Sequence, residues 1–81
     1  MDLENLPDLK GNFGPFRVIE IAEVTWADAN RIGIYYIFGK LDNNILVAAT
    51  EVKLNGGKRT VNQNQQFYLE KVTNYRIIER F

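Results

Sequence analysis

The chain of 81 residues contains no histidine, no cysteine and no serine. Histidine is the side chain that changes charge near neutral pH, while serine and cysteine are the common nucleophiles and cysteine is also a frequent metal ligand. Their absence removes the usual catalytic pairs and most ligands for zinc, copper and iron. We therefore expect a protein that is not an enzyme and that uses no cofactor and no metal ion. Catalysis by lysine, tyrosine or glutamate alone is the only route left open.

The chain also lacks the sequence marks of secretion and of membrane insertion. A secreted domain of this size would often carry disulfide bonds, and the asparagines form no Asn-x-Ser/Thr glycosylation site. The first eight residues contain three acids rather than the basic and apolar segments of a leader peptide. The longest apolar runs, 32–38 and 45–49, are far shorter than a bilayer requires. We expect a soluble cytoplasmic protein that does not enter a membrane.

Composition and charge are typical of one small domain. Hydrophobic residues make up 46% of the chain, which is enough for one core without disulfide bonds. The ten basic and ten acidic residues balance, but residues 1–30 hold six acids and two bases while residues 31–81 hold eight bases and four acids. The net charges of the two parts are thus −4 and +4. A fold could present these parts as two faces of opposite sign.

Glycine and proline divide the chain into an irregular lead-in over residues 1–15 and a β domain over residues 16–81. Two glycines and Pro15 make residues 10–15 a loop. Residues 16–26 are rich in β-branched and aromatic side chains, which favours a strand, and a strand this long must bend. A helix is the alternative, because Pro15 could occupy its first turn and polar residues recur at three-residue spacing.

The middle of the chain predicts a central hairpin. Residues 32–41 are apolar or aromatic on both faces, as in a buried strand, and Asp42, Asn43 and Asn44 suit a tight turn. Residues 45–54 then pair back, with Leu46, Ala48, Val52 and Leu54 expected on one face.

The remainder predicts a further turn and two more strands. Asn55, Gly56 and Gly57 form a second turn, residues 61–66 are polar, residues 67–72 form a strand, residues 73–74 a short break and residues 75–81 the last strand. The prediction is an all-β fold: a small five-stranded antiparallel barrel or a strongly bent sheet. The order of these elements resembles the architecture of SH3-like and Sm-like small barrels, although none of their family motifs can be placed in the sequence.

Three motifs that could carry chemistry fail on spacing or on strand parity. The Gly56-Gly57-Lys58 turn lacks the earlier glycine of a phosphate-binding loop, since Val52 occupies that position. Glu20 and Glu23 point to opposite faces of a strand, which makes them a poor acid-base pair. The acidic turn at residues 42–44 lacks the spacing and the terminal glutamate of a calcium loop.

Aromatic and basic residues interleave from residue 26 onward and form the one constellation that indicates binding. Such rings and cations dominate protein interfaces, and they also stack and neutralise single-stranded nucleic acid. Adjacent residues in a strand face opposite ways, so at least one of a neighbouring tyrosine pair is expected outside the main core. The residues predicted to bind a partner are Trp26, Arg31, Tyr35, Tyr36, Lys58, Arg59, Tyr68, Tyr75 and Arg76.

The sequence therefore predicts a small accessory or inhibitory factor that docks on a larger protein. Binding of single-stranded RNA or DNA is the alternative, and a homo-oligomeric structural subunit, assembled through an open strand edge, is a second alternative.

Overall fold

The computed structural model describes residues 2–10, 16–27, 31–42, 44–61 and 65–81. A 3₁₀ turn at Asp2–Asn5 comes first, and a second one, Leu69–Lys71, precedes the last strand. The strands are β1 (Phe16–Arg17), β2 (Glu20–Trp26), β3 (Arg31–Leu41), β4 (Ile45–Ala49), β5 (Lys53–Asn55), β6 (Lys58–Val61), β7 (Gln65–Tyr68) and β8 (Val72–Arg80). None of the described helices is long and apolar enough to cross a membrane.

Five strands form the larger sheet, in the order β7-β4-β3-β2-β8, with every neighbouring pair antiparallel. The hairpin between β3 and β4 turns at Asp42, whose φ of 51° is the left-handed conformation that aspartate and asparagine tolerate. The bulge between Ile37 and Gly39 bends β3 in its second half.

The smaller sheet has three antiparallel strands in the order β1-β6-β5. Its hairpin turns at Gly56 and Gly57, whose φ values of 59° and 83° suit glycine. The chain passes from this sheet to the larger one at Val18 and Ile19: the Val18 amide donates to the Arg59 carbonyl of the smaller sheet at 3.2 Å, and the Ile19 amide donates to the Ile37 carbonyl of the larger at 2.9 Å.

The larger sheet is covered on both faces, so the protein has two cores. On the first face, Leu6 follows the 3₁₀ turn Asp2–Asn5 and belongs to the larger core, and Leu3 of that turn packs against it. The buried members of that core are Leu6, Ala22, Val24, Trp26, Ile37, Leu46, Ala48, Val72 and Tyr75. The second face packs against the smaller sheet, and its buried residues are Phe16, Val18, Phe38, Val47 and Ala49. The smaller sheet therefore covers the second face around β4 and the second half of β3.

The predicted all-β fold is confirmed, and several boundaries are corrected. Residues 16–26 are strand rather than helix, and they bend between β1 and β2 as expected. The described strands form no closed barrel, so the barrel stays a prediction. The single strand predicted for residues 45–54 is wrong: the chain leaves the larger sheet at Thr50, and Leu54 lies 72% exposed in the smaller one.

The end of the chain also differs from its prediction. The break expected at residues 73–74 lies earlier, at the 3₁₀ turn Leu69–Lys71, and β8 runs through Thr73 and Asn74. The loop predicted for residues 10–15 lies outside the described residues except for Lys10, as does most of the polar connection at residues 27–31.

Gly39 allows the N-terminal segment to lie directly against β3. The Leu9 amide donates to the Lys40 carbonyl at 2.8 Å, and the Lys40 amide donates to the Pro7 carbonyl at 2.9 Å. A Cβ at residue 39 would lie 2.5 Å from the Pro7 oxygen, and the φ of 154° is itself unfavourable for other residues. A side chain at residue 39 would thus separate the segment from the sheet.

We expect Gly39→Ala to detach residues 7–9 from β3. Gly56→Ala is the matched control: it also places alanine at positive φ, but nothing lies within 4 Å of the new Cβ, so it should cost only roughly 1–2 kcal/mol. Urea unfolding followed by Trp26 fluorescence should show a larger loss for Gly39→Ala. Hydrogen exchange should show faster exchange of the Leu9 amide in that variant alone, and unchanged Leu9 protection would contradict the account.

Candidate functional site

The aromatic residues singled out in the sequence lie largely inside the protein. Trp26 stacks on Phe67 with ring centroids 4.0 Å apart and an interplanar angle of 29°. Tyr35 packs edge-on against both rings, at 6.1 Å from Trp26 and 5.5 Å from Phe67. These three rings close one end of the larger core. Since Trp26 is only 6% exposed, it holds the sheet together and is not accessible to a partner.

Tyr75 is also part of the larger core, where it hydrogen-bonds a carboxylate. It is 7% exposed, and its hydroxyl donates to the Oε2 atom of Glu20, which is itself buried. The Arg80 Nε lies 4.0 Å from the other carboxylate oxygen. A buried carboxylate needs such partners, because water no longer solvates it. Tyr75 therefore has a structural role in satisfying Glu20.

The other two tyrosines differ in exposure. Tyr36 is half-buried and packs against the smaller core. Tyr68 is 61% exposed on the edge strand β7. Of the predicted aromatic residues, Tyr68 alone presents most of its ring to solvent.

The predicted basic residues are spread over the surface. The Arg59 guanidinium lies 4.4 Å from the centre of the Phe81 ring, in cation-π geometry. The Arg76 Nη2 lies 3.2 Å from a Glu23 oxygen, with which it forms an exposed ion pair. In the strand register, Arg31 of β3 lies opposite Trp26 of β2, and Lys58 lies opposite Asn55 in the β5–β6 hairpin. The side chains of Arg31 and Lys58 lie outside the described part of the structure.

These residues do not form one surface. Tyr68 lies on β7 and Arg76 on β8, which are the two opposite edges of the larger sheet. Trp26 and Tyr75 are buried, and Arg59 belongs to the smaller sheet. Within the described residues, no group of three acids could hold a metal ion either. The residues predicted to bind a partner therefore stay predictions that the geometry does not unite.

A different surface stands out, and it consists of the first half of β3. Ile32 and Ile34 are 68% and 61% exposed, which is unusual for β-branched residues in a strand of a buried sheet. The register places Ile32 opposite Thr25 and Ile34 opposite Glu23. Alternate residues of a strand share a face, and Tyr36 packs against the core of the second face, so both isoleucines lie on that second face. The smaller sheet covers that face only further along, around Phe38 and Val47. We call these two isoleucines, with Thr25 and Glu23, the open face.

The edge of the sheet is open at the same place. β3 has 11 residues, but β4 pairs only with residues 36–41 of it, because β4 ends at Ala49 opposite Tyr36. No described strand pairs with residues 31–35 on the side away from β2. On the β2 side, Glu23 of the open face lies opposite Ile34 and forms its ion pair with Arg76 of β8. The open face thus combines apolar side chains, an unpaired edge and a charged rim.

Sequence reasoning missed these isoleucines for an identifiable reason. In residues 32–38 apolar side chains occupy both faces, a pattern typical of a central strand. That pattern does not reveal where the neighbouring strand ends. The available signal was Ile32-Gly33-Ile34 itself, in which two large apolar residues flank a glycine and share one face.

Comparison of the chain with protein-family models, with curated proteins and with solved structures gives no match.

The role of Tyr75 can be tested with a matched pair of substitutions. Tyr75→Phe removes the donor to the buried Glu20 carboxylate, so we expect it to lower the free energy of unfolding by about 1–3 kcal/mol. Tyr68→Phe removes the same hydroxyl from a side chain that is 61% exposed, and it should change the stability little. Denaturant unfolding measures the free energy of unfolding of both variants. Equal decreases in the two variants would show that the hydrogen bond from Tyr75 to Glu20 does not stabilise the fold.

Proposed function

We propose that this chain is a non-catalytic protein-binding module that docks on a larger protein partner through the open face. The observation that carries the proposal is the exposure of Ile32 and Ile34, 68% and 61%, side by side on one face of β3. The absence of cysteine is compatible with action in the cytoplasm, and the module would act as an accessory or inhibitory factor by covering a surface of its partner.

Physical chemistry supports docking at this surface. Burial of a single isoleucine side chain is worth about 1.5–3 kcal/mol, and scattered exposed hydrophobic residues alone indicate nothing. Here two of them are neighbours on one face of β3, and the ion pair between Glu23 and Arg76 flanks them. An apolar centre with a polar, charged rim is the usual arrangement of a protein interface.

The geometry favours a protein partner over single-stranded nucleic acid. Binding of single strands needs exposed rings along a basic groove. Tyr35 and Tyr36 are half-buried, and Tyr35 packs on Trp26 and Phe67. Arg59 belongs to the smaller sheet and lies over Phe81, whereas Tyr68, the largely exposed tyrosine among the described residues, is on β7 of the larger sheet. The described rings and cations therefore offer no continuous path for stacked bases.

We expect Ile32→Lys/Ile34→Lys to abolish docking. Loss of two buried isoleucines should weaken the affinity at least about tenfold, since tenfold corresponds to only about 1.4 kcal/mol. The tagged wild-type chain is first used to capture proteins from a nuclease-treated extract, and the captured proteins are identified. One of them is then purified, and its affinity for wild type and for each variant is measured by calorimetry. The affinity for wild type should change little between low and high salt, because the contact is apolar.

Leu54→Lys is the matched control. Leu54 is 72% exposed in the smaller sheet, away from the open face, and the control adds the same kind of charge. It should bind like wild type. Equal weakening by Leu54→Lys, or full affinity of the double variant, would contradict docking at the open face. Salt-sensitive binding of a labelled oligonucleotide that survives in the double variant would favour the nucleic-acid alternative instead.

A further inference from the structure

The open edge of β3 has backbone groups that face outward without a partner among the described residues. The Ile37 carbonyl accepts from the Ile19 amide, so the polar groups of Ile37 face the β2 side. Along an antiparallel strand, the amide and carbonyl of one residue face one neighbour and those of the next residue face the other. The amides and carbonyls of Ile32 and Ile34 therefore face away from β2, where no described strand pairs with them.

The middle of this edge, residues 32–34, lacks the features that normally prevent strands from pairing between molecules. Monomeric proteins protect an edge with charges, proline or a very short strand. β8 has several exposed charged residues along its length, and β7 is a four-residue strand that begins with two exposed glutamines. Residues 32–34 are instead Ile-Gly-Ile, without charge or proline. The edge is thus suited to receive another extended strand.

We propose that a second copy of this chain pairs its own β3 with this edge, antiparallel, so that two copies form one continuous sheet. In this register Ile32 lies opposite Ile34 of the second copy, and Gly33 lies opposite Gly33 of the second copy. The two isoleucine pairs exchange four backbone hydrogen bonds, and their side chains meet on the open face. The interface is isologous, because each copy contributes the same residues.

The occupant is a second copy because the open edge is complementary to itself. When two copies lie antiparallel, residues 31–35 of one copy align with residues 35–31 of the other. The pairing cannot extend further, because Ala49 already pairs with the next residue, Tyr36. A register with Ile34 opposite Ile34 would place Ile32 opposite Tyr36 of the second copy, where the edge is taken. Only the register centred on Gly33 pairs both isoleucines.

Gly33 suits the centre of this interface. In an antiparallel sheet, two directly opposite residues that exchange no hydrogen bonds have Cα atoms about 4.5 Å apart. Gly33 has no side chain to obstruct this approach, and the Tyr35 ring already covers the glycine, since a Cβ there would lie 2.7 Å from that ring. The two uncharged Ile-Gly-Ile segments can therefore meet closely.

Dimerisation and docking use different parts of β3. The dimer depends on the backbone edge, whereas the proposed partner contacts the isoleucine side chains on the face, and pairing would place four isoleucines side by side there. Either proposal can fail without the other.

Single cysteines test the register directly, because the natural chain contains none. Ile32→Cys and Ile34→Cys are purified separately and mixed under mild oxidation. Opposite residues in a hydrogen-bonded pair have Cα atoms about 5.5 Å apart, within the range of a disulfide. Two copies of Ile34→Cys would hold their cysteines roughly 9 Å apart, which is too far. We expect a linked dimer in the mixture, several-fold more abundant than with either variant alone.

Leu54→Cys is the control for random collision, since it is 72% exposed on the other sheet. Equal linkage of Leu54→Cys, or of Ile34→Cys alone, would overturn the proposed pairing, as would a mixture that gives no linked dimer.

A second pair of variants tests the edge without cysteine. Ile34→Pro removes the amide that would face the second copy and is compatible with an unpaired edge, whereas Ile34→Thr retains that amide and β-branching. Sedimentation over a concentration series should show wild type and Ile34→Thr shifting toward twice the 9.4 kDa chain mass. Ile34→Pro should stay at the chain mass, with circular dichroism unchanged. A wild-type chain that stays monomeric to millimolar concentration would overturn the proposal independently of any partner binding.

Discussion

The unequal lengths of β3 and β4 determine which surface of this protein is free. β3 continues for five residues beyond the point where β4 ends, because the chain leaves the larger sheet at Thr50 to build the smaller one. The departing chain forms the cover of the second face around Phe38. The same departure leaves residues 31–35 without a neighbouring strand among the described residues on the side away from β2, and it leaves Ile32 and Ile34 exposed. The second core and the open face are therefore two results of one change in chain direction.

Most of the described aromatic residues stabilise this arrangement from the interior. Trp26, Tyr35 and Phe67 join β2, β3 and β7 at one end of the larger core. Tyr75 connects β8 to the buried Glu20 on β2. Each aromatic side chain buries a large apolar surface area. A chain of only 81 residues has a small core, so burial of these rings contributes much of its hydrophobic stabilisation. The two proposed interfaces therefore use aliphatic side chains and the backbone.

Much of the fold could be predicted from the sequence where a local backbone requirement limits the choice of residue. The turns at Asp42 and at Gly56-Gly57 are examples, because positive φ favours aspartate and glycine. The division of residues 45–54 between two sheets could not be predicted, since a strand pattern continues across Thr50 and only tertiary packing decides where the chain departs.

The candidate site was harder to predict for the same reason. Tyrosine and tryptophan serve cores and interfaces equally well, so residue type alone could not assign Trp26 or Tyr75 to the interior. The exposure of Ile32 and Ile34 depends on the end of a different strand, which lies fifteen residues later at Ala49. The proposed function depends on which strand edges remain unpaired, and this is a property of the whole sheet.

Residue-resolved amide hydrogen exchange of the dilute protein tests the central claim most directly. If the first half of β3 is open on one side, protection must alternate: the amides of Gly33 and Tyr35, which face β2, exchange slowly, whereas those of Ile32 and Ile34 exchange rapidly. Uniform slow exchange from residue 32 to residue 35 at every concentration would show that the edge is already paired within one chain, and it would contradict the account.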